Sequence, residues 1–190
     1  ERLRIKNKDG EFDDKVIESI SSFTPFRNEA IELFLTIANY RDNNESRLSI
    51  HRFFESLIPY FSPPKGVSGY TESDFDNFKF IVHELFLYTI ASFLRYERFE
   101  SASYLMQNEY YVQGNSEYGR DVMVPFHIFR DHLQSLDYRN KRLKLKRSSL
   151  RADLLNERCK GVGLDFRHLM QVDFILFMRN KSINKKIKDD

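Results

Sequence analysis

FIVHELFLYTIASFL, residues 80–94, is the longest apolar-rich run in the chain. Its fifteen residues include His83 and Glu84. A membrane-spanning helix needs roughly 20 predominantly apolar residues, so the run predicts a buried helix. Phe75, Phe78, Ile81, Val82, Leu85, Phe86, Ile90, Phe93 and Leu94 form an apolar stripe too wide for a helix with one wet side. We read this helix as the central element of a mainly α fold, a helical bundle. Thr71 and Asp74, three residues apart, make the acidic variant of a capping box at its start. Arg95 to Glu97 form a polar break, and RFESASYLMQN continues as a second helix. Residues 78–107 therefore predict a helical hairpin, and no 34-residue repeat accompanies it to suggest a repeat array.

Upstream, Phe12, Val16, Ile20 and Phe23 recur every three or four residues, which predicts a helix. Thr24-Pro25 reads as an N-cap followed by proline at the first helical position. The next helix, reaching about Tyr40, turns Ile31, Phe34, Leu35 and Ala38 inward. Asp42-Asn43-Asn44 is a turn, and a third helix carries Leu48, Phe53, Phe54, Leu57 and Ile58. SPPKGVSGY (62–70) has two prolines and two glycines in nine residues, which forbids helix and sheet alike. The expected division is an N-terminal helical unit (1–61), this loop, a main helical body (71–179) and a disordered tail (180–190).

Downstream, YYV and VMV, separated by a polar loop, predict a strand pair within 109–125. Phe126 to about Lys141 returns to helical spacing. RLKLKR (142–147) alternates basic and apolar residues, and reads either as a short edge strand or as a continuation of that helix. Ser148 or Ser149 caps a helix reaching about Lys160, which GVG closes, and Asp165 caps the last strong helix.

Aromatic residues are abundant, with 18 Phe and 10 Tyr, while Gly (7) and Pro (5) are scarce. Such a chain is globular and favours long helices. The single cysteine, Cys159, permits no internal disulfide and fits a cytoplasmic, reducing setting. The opening ERLRIKNKDG has neither an initiator Met nor an apolar signal segment, and reads as a piece of a longer protein. Net charge is +2, yet residues 9–100 hold nine Lys and Arg against sixteen Asp and Glu. Residues 101–190 hold seventeen against eleven, and 139–160 alone hold nine against two. Either the two halves pair with each other, or the basic part faces an acidic partner.

Candidate chemistry is sparse. His83-Glu84 opens like a zinc-protease helix motif, but position 87 is Leu, so the second histidine is missing and no metal is expected. No Gly-rich phosphate loop, Cys/His cluster or serine elbow is present, and no cofactor is expected. Cys159 has no His nearby in sequence to complete a nucleophilic pair. Arg120-Asp121 followed by His127 fits the Arg-polar-x(4–6)-His spacing of the HEPN ribonucleases. In those enzymes a cation stabilises developing phosphate charge and a histidine moves the proton. Pro125 inside the motif would break a continuous helix.

The strongest signal is the basic cluster of Lys141, Arg142, Lys144, Lys146, Arg147 and Arg151. It could meet an acidic protein partner or another copy of the chain. It could also grip nucleic-acid phosphates, with Tyr110, Tyr111 or Tyr138 stacking on bases, or simply form a solvated edge. A membrane role is not expected, because no exposed apolar face adjoins these cations.

RNKRLKLKRSSLRADLLNERCKGVGLDFRHLMQVDFILFMR (139–179) and FDNFKFIVHELFLYTIASFLRYERFESASYLMQNEYYV (75–112) carry a family likeness. They resemble the helical region that follows the TIR domain in bacterial TIR-domain proteins linked to anti-phage defence. The resemblance spans residues 50–179 and contains no catalytic signature. It implies an accessory role: in such proteins the TIR domain acts on NAD or assembles signalling filaments, and attached regions sense a trigger or drive oligomerisation. No alternating strand–helix pattern of a TIR domain occurs here, so no catalytic residue carries over. The expected function is a non-catalytic interaction or regulatory module acting through 139–151. The alternatives are a HEPN-like ribonuclease using Arg120 and His127, and a non-catalytic nucleic-acid-binding domain.

Overall fold

A computed structural model describes residues 11–63, 69–114 and 120–189. Among them lie eight α-helices and one strand pair: α1 (Phe12–Ser22), α2 (Thr24–Tyr40), α3 (Asn44–Leu57), α4 (Asp76–Arg95), α5 (Phe99–Gln107), β1 (Tyr110–Val112), β2 (Val122–Val124), α6 (Gln134–Arg142), α7 (Leu150–Arg158) and α8 (Phe166–Asp189). The fold is a mainly α helical bundle with a short antiparallel hairpin. Tyr110 pairs with Val124, Tyr111 with Met123 and Val112 with Val122.

The apolar run quoted above becomes α4, and every residue from Asp76 to Phe93 is buried. Helices α1, α2, α5 and α8 pack around it. Beside it, Phe54 of α3 anchors an aromatic cluster, with ring centroids 5.1 Å from Phe86, 5.5 Å from Phe129 and 6.1 Å from Phe34. Phe129 in turn meets Tyr110 edge-on at 4.6 Å, which ties the hairpin to the helices. Each such pair adds about 0.5–1.5 kcal/mol beyond the burial of its area. The residues before and after the 62–70 loop share one apolar core, which runs from Val16 to Leu176. Positions 64–68 of that loop, the lead-in 1–10 and residue 190 lie outside the described residues.

Several local expectations meet a physical correction. Thr24 is the first residue of α2 and does not cap it; its hydroxyl instead accepts a 3.0 Å bond from Arg158. The helix expected over 126–141 is split. Phe126–Arg130 forms a 3-10 turn and α6 begins at Gln134. At the break, Asp131 takes Lys79 as ion partner and accepts the N–H of His132, so its carboxylate serves the turn. Residues 142–147 form neither strand nor continued helix beyond Arg142. The last helix continues to Asp189, through most of the segment expected to be a disordered tail. By contrast, the Ser149 cap of α7 and the Asp165 bond to the His168 N–H form as the residue spacing predicts, and the Thr71/Asp74 box forms one step early, on the 3-10 turn Glu72–Phe75 that leads into α4.

Candidate functional site

The loop between α6 and α7 is built by its own sequence. Leu143 ends α6, and Lys144 then takes a left-handed backbone with φ of 51°. This lets the Leu145 N–H bond the Asn140 carbonyl at 3.1 Å and the Lys144 N–H bond the Lys141 carbonyl at 3.2 Å. The pair of bonds is a Schellman cap, in which glycine is the usual occupant of the left-handed position. Lys146 is left-handed as well, with φ of 53°. The Asn140 side chain spans the loop, donating to the Arg147 carbonyl at 2.8 Å and accepting the Arg147 N–H at 3.1 Å. Ser149 then caps α7 through the Ala152 N–H. Leu143, Lys144, Leu145 and Lys146 are all exposed on this clamped loop. The left-handed conformation costs each lysine on the order of 1 kcal/mol, and Glu97 at the joint after α4 takes it as well, with φ of 59°.

The six basic residues singled out by sequence meet different fates. Lys141, Lys144 and Lys146 face solvent and form no ion pair among the described residues. Arg142 turns onto the first helix: its Nε lies 3.0 Å from Asp13 Oδ1, and its Nη2 lies 2.7 Å from Asp13 Oδ2 and 2.9 Å from Asp14 Oδ2. Arg139 joins the same two carboxylates, and Asp13 is fully buried. The Arg139 hydrogen bond, with Arg142 beside it, holds the Asp14 carboxyl below the usual range. Arg147 forks onto Asp153 at 2.7 and 2.8 Å. Arg151 donates to the Asp131 carbonyl. The patch foreseen as six cations therefore presents three lysines, because most of the guanidiniums hold the fold together.

Arg158, in the same basic segment, is also internal. Its Nε and Nη2 bond the buried Glu84 carboxylate at 2.9–3.2 Å, and its Nη1 donates to the Ile20 carbonyl and Thr24. Arg27 approaches the same carboxylate at 3.7 Å and donates to the Arg158 carbonyl. Removing one partner of such a buried set typically costs about 3–5 kcal/mol, because an uncompensated charge is left behind. Next to Arg158 in sequence, the Cys159 thiol donates to the Asn156 carbonyl.

His83, the other half of the polar pair on α4, is 2% exposed. Its Nε2 is 3.6 Å from Asp173 Oδ1, and Arg130 forks onto Asp173 at 2.7 and 3.1 Å. Closed off in this way, His83 has a structural place between α4 and α8. Among the described residues no group of three or more His, Cys, Asp or Glu is arranged to hold a metal ion. Arg120 and His127 are both exposed, with strand β2 between them: Arg120 precedes it and His127 follows in the 3-10 turn. The two do not share a helix, which is the arrangement that the ribonuclease spacing requires. Although the His127 side chain reaches the surface, partial desolvation by the neighbouring protein lowers its imidazole from the ordinary value.

Sequence reasoning missed Asn140 as the clamp of the loop, and Asp13 and Asp14 as the partners of its arginines. The charge imbalance between the two halves was the available signal for the latter. No described helix is long and apolar enough to cross a membrane. No protein-family model, curated protein or solved structure matches the chain.

Proposed function

We propose that the chain is a non-catalytic helical interaction module that docks an acidic protein partner on the α6–α7 loop. One observation carries this reading: a rigid loop presents Lys144 and Lys146 alternating with exposed Leu143 and Leu145, while Lys141 stands one turn away. Lysines supply long-range attraction to carboxylates, and the leucines supply area that a phosphate backbone has no use for. With three free lysines, nucleic acid would be held through about three phosphates, a small footprint with a shallow salt dependence. An accessory role beside a separate catalytic domain, as the resemblance to TIR-associated regions suggests, fits a module of this kind. A cytoplasmic setting fits its lone thiol.

The test is fluorescence anisotropy with a labelled Glu- and Leu-rich peptide and, separately, a labelled single-stranded RNA. The expected result is peptide binding that weakens at least tenfold in Lys144→Glu/Lys146→Glu, with RNA bound more weakly than peptide. Arg147 is left intact, because its side chain holds Asp153. Tighter RNA binding with a steep salt slope, or peptide binding indifferent to the two charge reversals, would sink the proposal.

A further inference from the structure

Helix α2 carries two seams back to back. Arg27, Ile31, Phe34 and Ala38 form the inward one, on the side of α4. The outward one is Phe23, Phe26, Ala30, Leu33, Ile37 and Tyr40, at alternating steps of three and four residues. That is the heptad spacing of a helix packing lengthwise on another helix. Phe26, Leu33 and Tyr40 are 67%, 56% and 78% exposed, while Phe23, Ala30 and Ile37 rest partly on the core. Phe53 of α3, 37% exposed, lies edge-on to Phe34 at 5.8 Å and widens the apolar surface at its middle.

Full burial of a Phe or Tyr removes about 150–250 Å² from water, so the exposed fractions here amount to about 500 Å² of apolar surface. No charge interrupts it. Glu29 and Glu32, the exposed charged residues of α2, lie on the flank away from Phe34, and Arg41 follows Tyr40 past the helix end.

We infer that the outward seam of α2 is covered by the same seam of a second copy, running antiparallel about a two-fold axis between Ala30 and Leu33. The steps along the seam read three, four, three, four, three in either direction, so a reversed copy matches all six residues. Phe23 then faces Tyr40 of the other copy, Phe26 faces Ile37, and Ala30 faces Leu33. Packing selects this order. The small Ala30 meets the larger Leu33, whereas a parallel pair would set Ala30 on Ala30 and Phe26 on Phe26, a gap next to a crowded layer. A patch that complements itself is what an isologous dimer requires. Two such faces remove about 1,000 Å² before any polar rim is counted, which reaches the size of a specific interface. Charge does not oppose the contact: Arg41 comes level with Ser22 of the other copy, Glu29 with Phe34, and Glu32 is turned off the seam. An acidic partner of the α6–α7 loop finds no cation along this seam, so the inference uses a separate surface and does not rest on the loop reading.

Sedimentation velocity and light scattering of the full chain over a concentration series test it. The wild type should pass from monomer to dimer and stop there, because an isologous contact leaves no face free. Leu33→Glu, at an exposed position, should keep the wild-type far-ultraviolet circular dichroism and weaken dimerisation at least tenfold. Phe174→Glu, at a similarly exposed position on α8, should dimerise as wild type, and so should Lys144→Glu/Lys146→Glu. In a Cys159→Ser background, oxidising an equal mixture of Phe26→Cys and Ile37→Cys should join the two unlike chains by a disulfide. Neither variant alone should cross-link, since the antiparallel order holds like positions about 16 Å apart along the seam. A wild-type chain that stays monomeric, a mass that grows past a dimer, or dimerisation that survives Leu33→Glu overturns the inference. So does a mixture that fails to cross-link, or Phe26→Cys or Ile37→Cys joining to itself.

Discussion

At the scale of single residues, His83 makes a prediction that its neighbours fix. Burial pushes its imidazole down from 6.5 to about 4, against the opposing pull of Asp173. Burial also raises the Asp173 carboxyl, but His83 and Arg130 outweigh that effect and hold it well below the usual carboxylate range. A folded pKa below the unfolded one means the native state takes up that proton less readily. Stability is therefore whole above pH 6.5, and about 3 kcal/mol of it drains away as pH falls through 6.5 to 4. Asp173 adds its own loss below about pH 4, where the unfolded carboxylate protonates first. Unfolding free energies from urea titrations between pH 7 and pH 4 should fall by about 3 kcal/mol more for wild type than for His83→Gln. Parallel curves would show that the histidine is not the source of acid sensitivity. The sequence marked His83 and Glu84 as a polar pair on a buried helix. It did not show that one faces Asp173, ninety residues away, and the other Arg158, because such partners are chosen by packing.

At the scale of elements, helices with strong three-four periodicity were legible and the joints between them were less so. Helices α4 and α5, the strand pair and the caps at Thr71, Ser149 and Asp165 follow from spacing and local hydrogen bonding, which act over three or four residues. The stretch RLKLKR misled, because alternation of lysine and leucine satisfies the strand pattern while the physical determinant lay just upstream. Asn140 bonds across the loop and the end of α6 closes in a Schellman cap, so the alternating side chains sit on a turn. The cost of this geometry falls on Lys144. Lys144→Gly should relieve left-handed strain and raise stability by about 0.5–1 kcal/mol, whereas Lys144→Val, branched at Cβ, should lower it by more than 1 kcal/mol. Chemical denaturation of the two variants checks this directly. If both variants destabilise equally, the loop is held by its lysine side chain and not by its backbone. The basic candidates divided for a related reason. Lysine and arginine look alike in a charge count, but Arg142, Arg147 and Arg158 fork onto carboxylates through Nε and Nη2, as the planar guanidinium favours, while Arg139 bridges Asp13 and Asp14 through Nη1.

At the scale of the whole molecule, the split between an acidic first half and a basic second half becomes a set of stitches. Asp13 and Asp14 hold Arg139 and Arg142, and Glu84 holds Arg158, so ends of the chain that are more than a hundred residues apart in the first case meet on α1. These contacts sit beside a core in which α1, α2 and α3 contribute to the same apolar cluster as α4, α7 and α8. A segment before the 62–70 loop that folded independently would need its own enclosed core, but Val16, Ile20, Ile31 and Phe34 are buried in that common cluster. Without α1 and α2, the continuous burial of α4 would be lost, and each large apolar side chain exposed would cost about 1.5–3 kcal/mol. The chain should therefore unfold as one cooperative unit. It contains no tryptophan, so two reporters can be placed at exposed positions, Tyr40→Trp in the first half and Tyr138→Trp in the second. Their urea transitions should share one midpoint, and that midpoint should match the loss of helical circular dichroism. An earlier transition at Tyr40→Trp would mean that the segment before the loop melts by itself and that the stitches from Asp13 and Glu84 do not couple it to the rest.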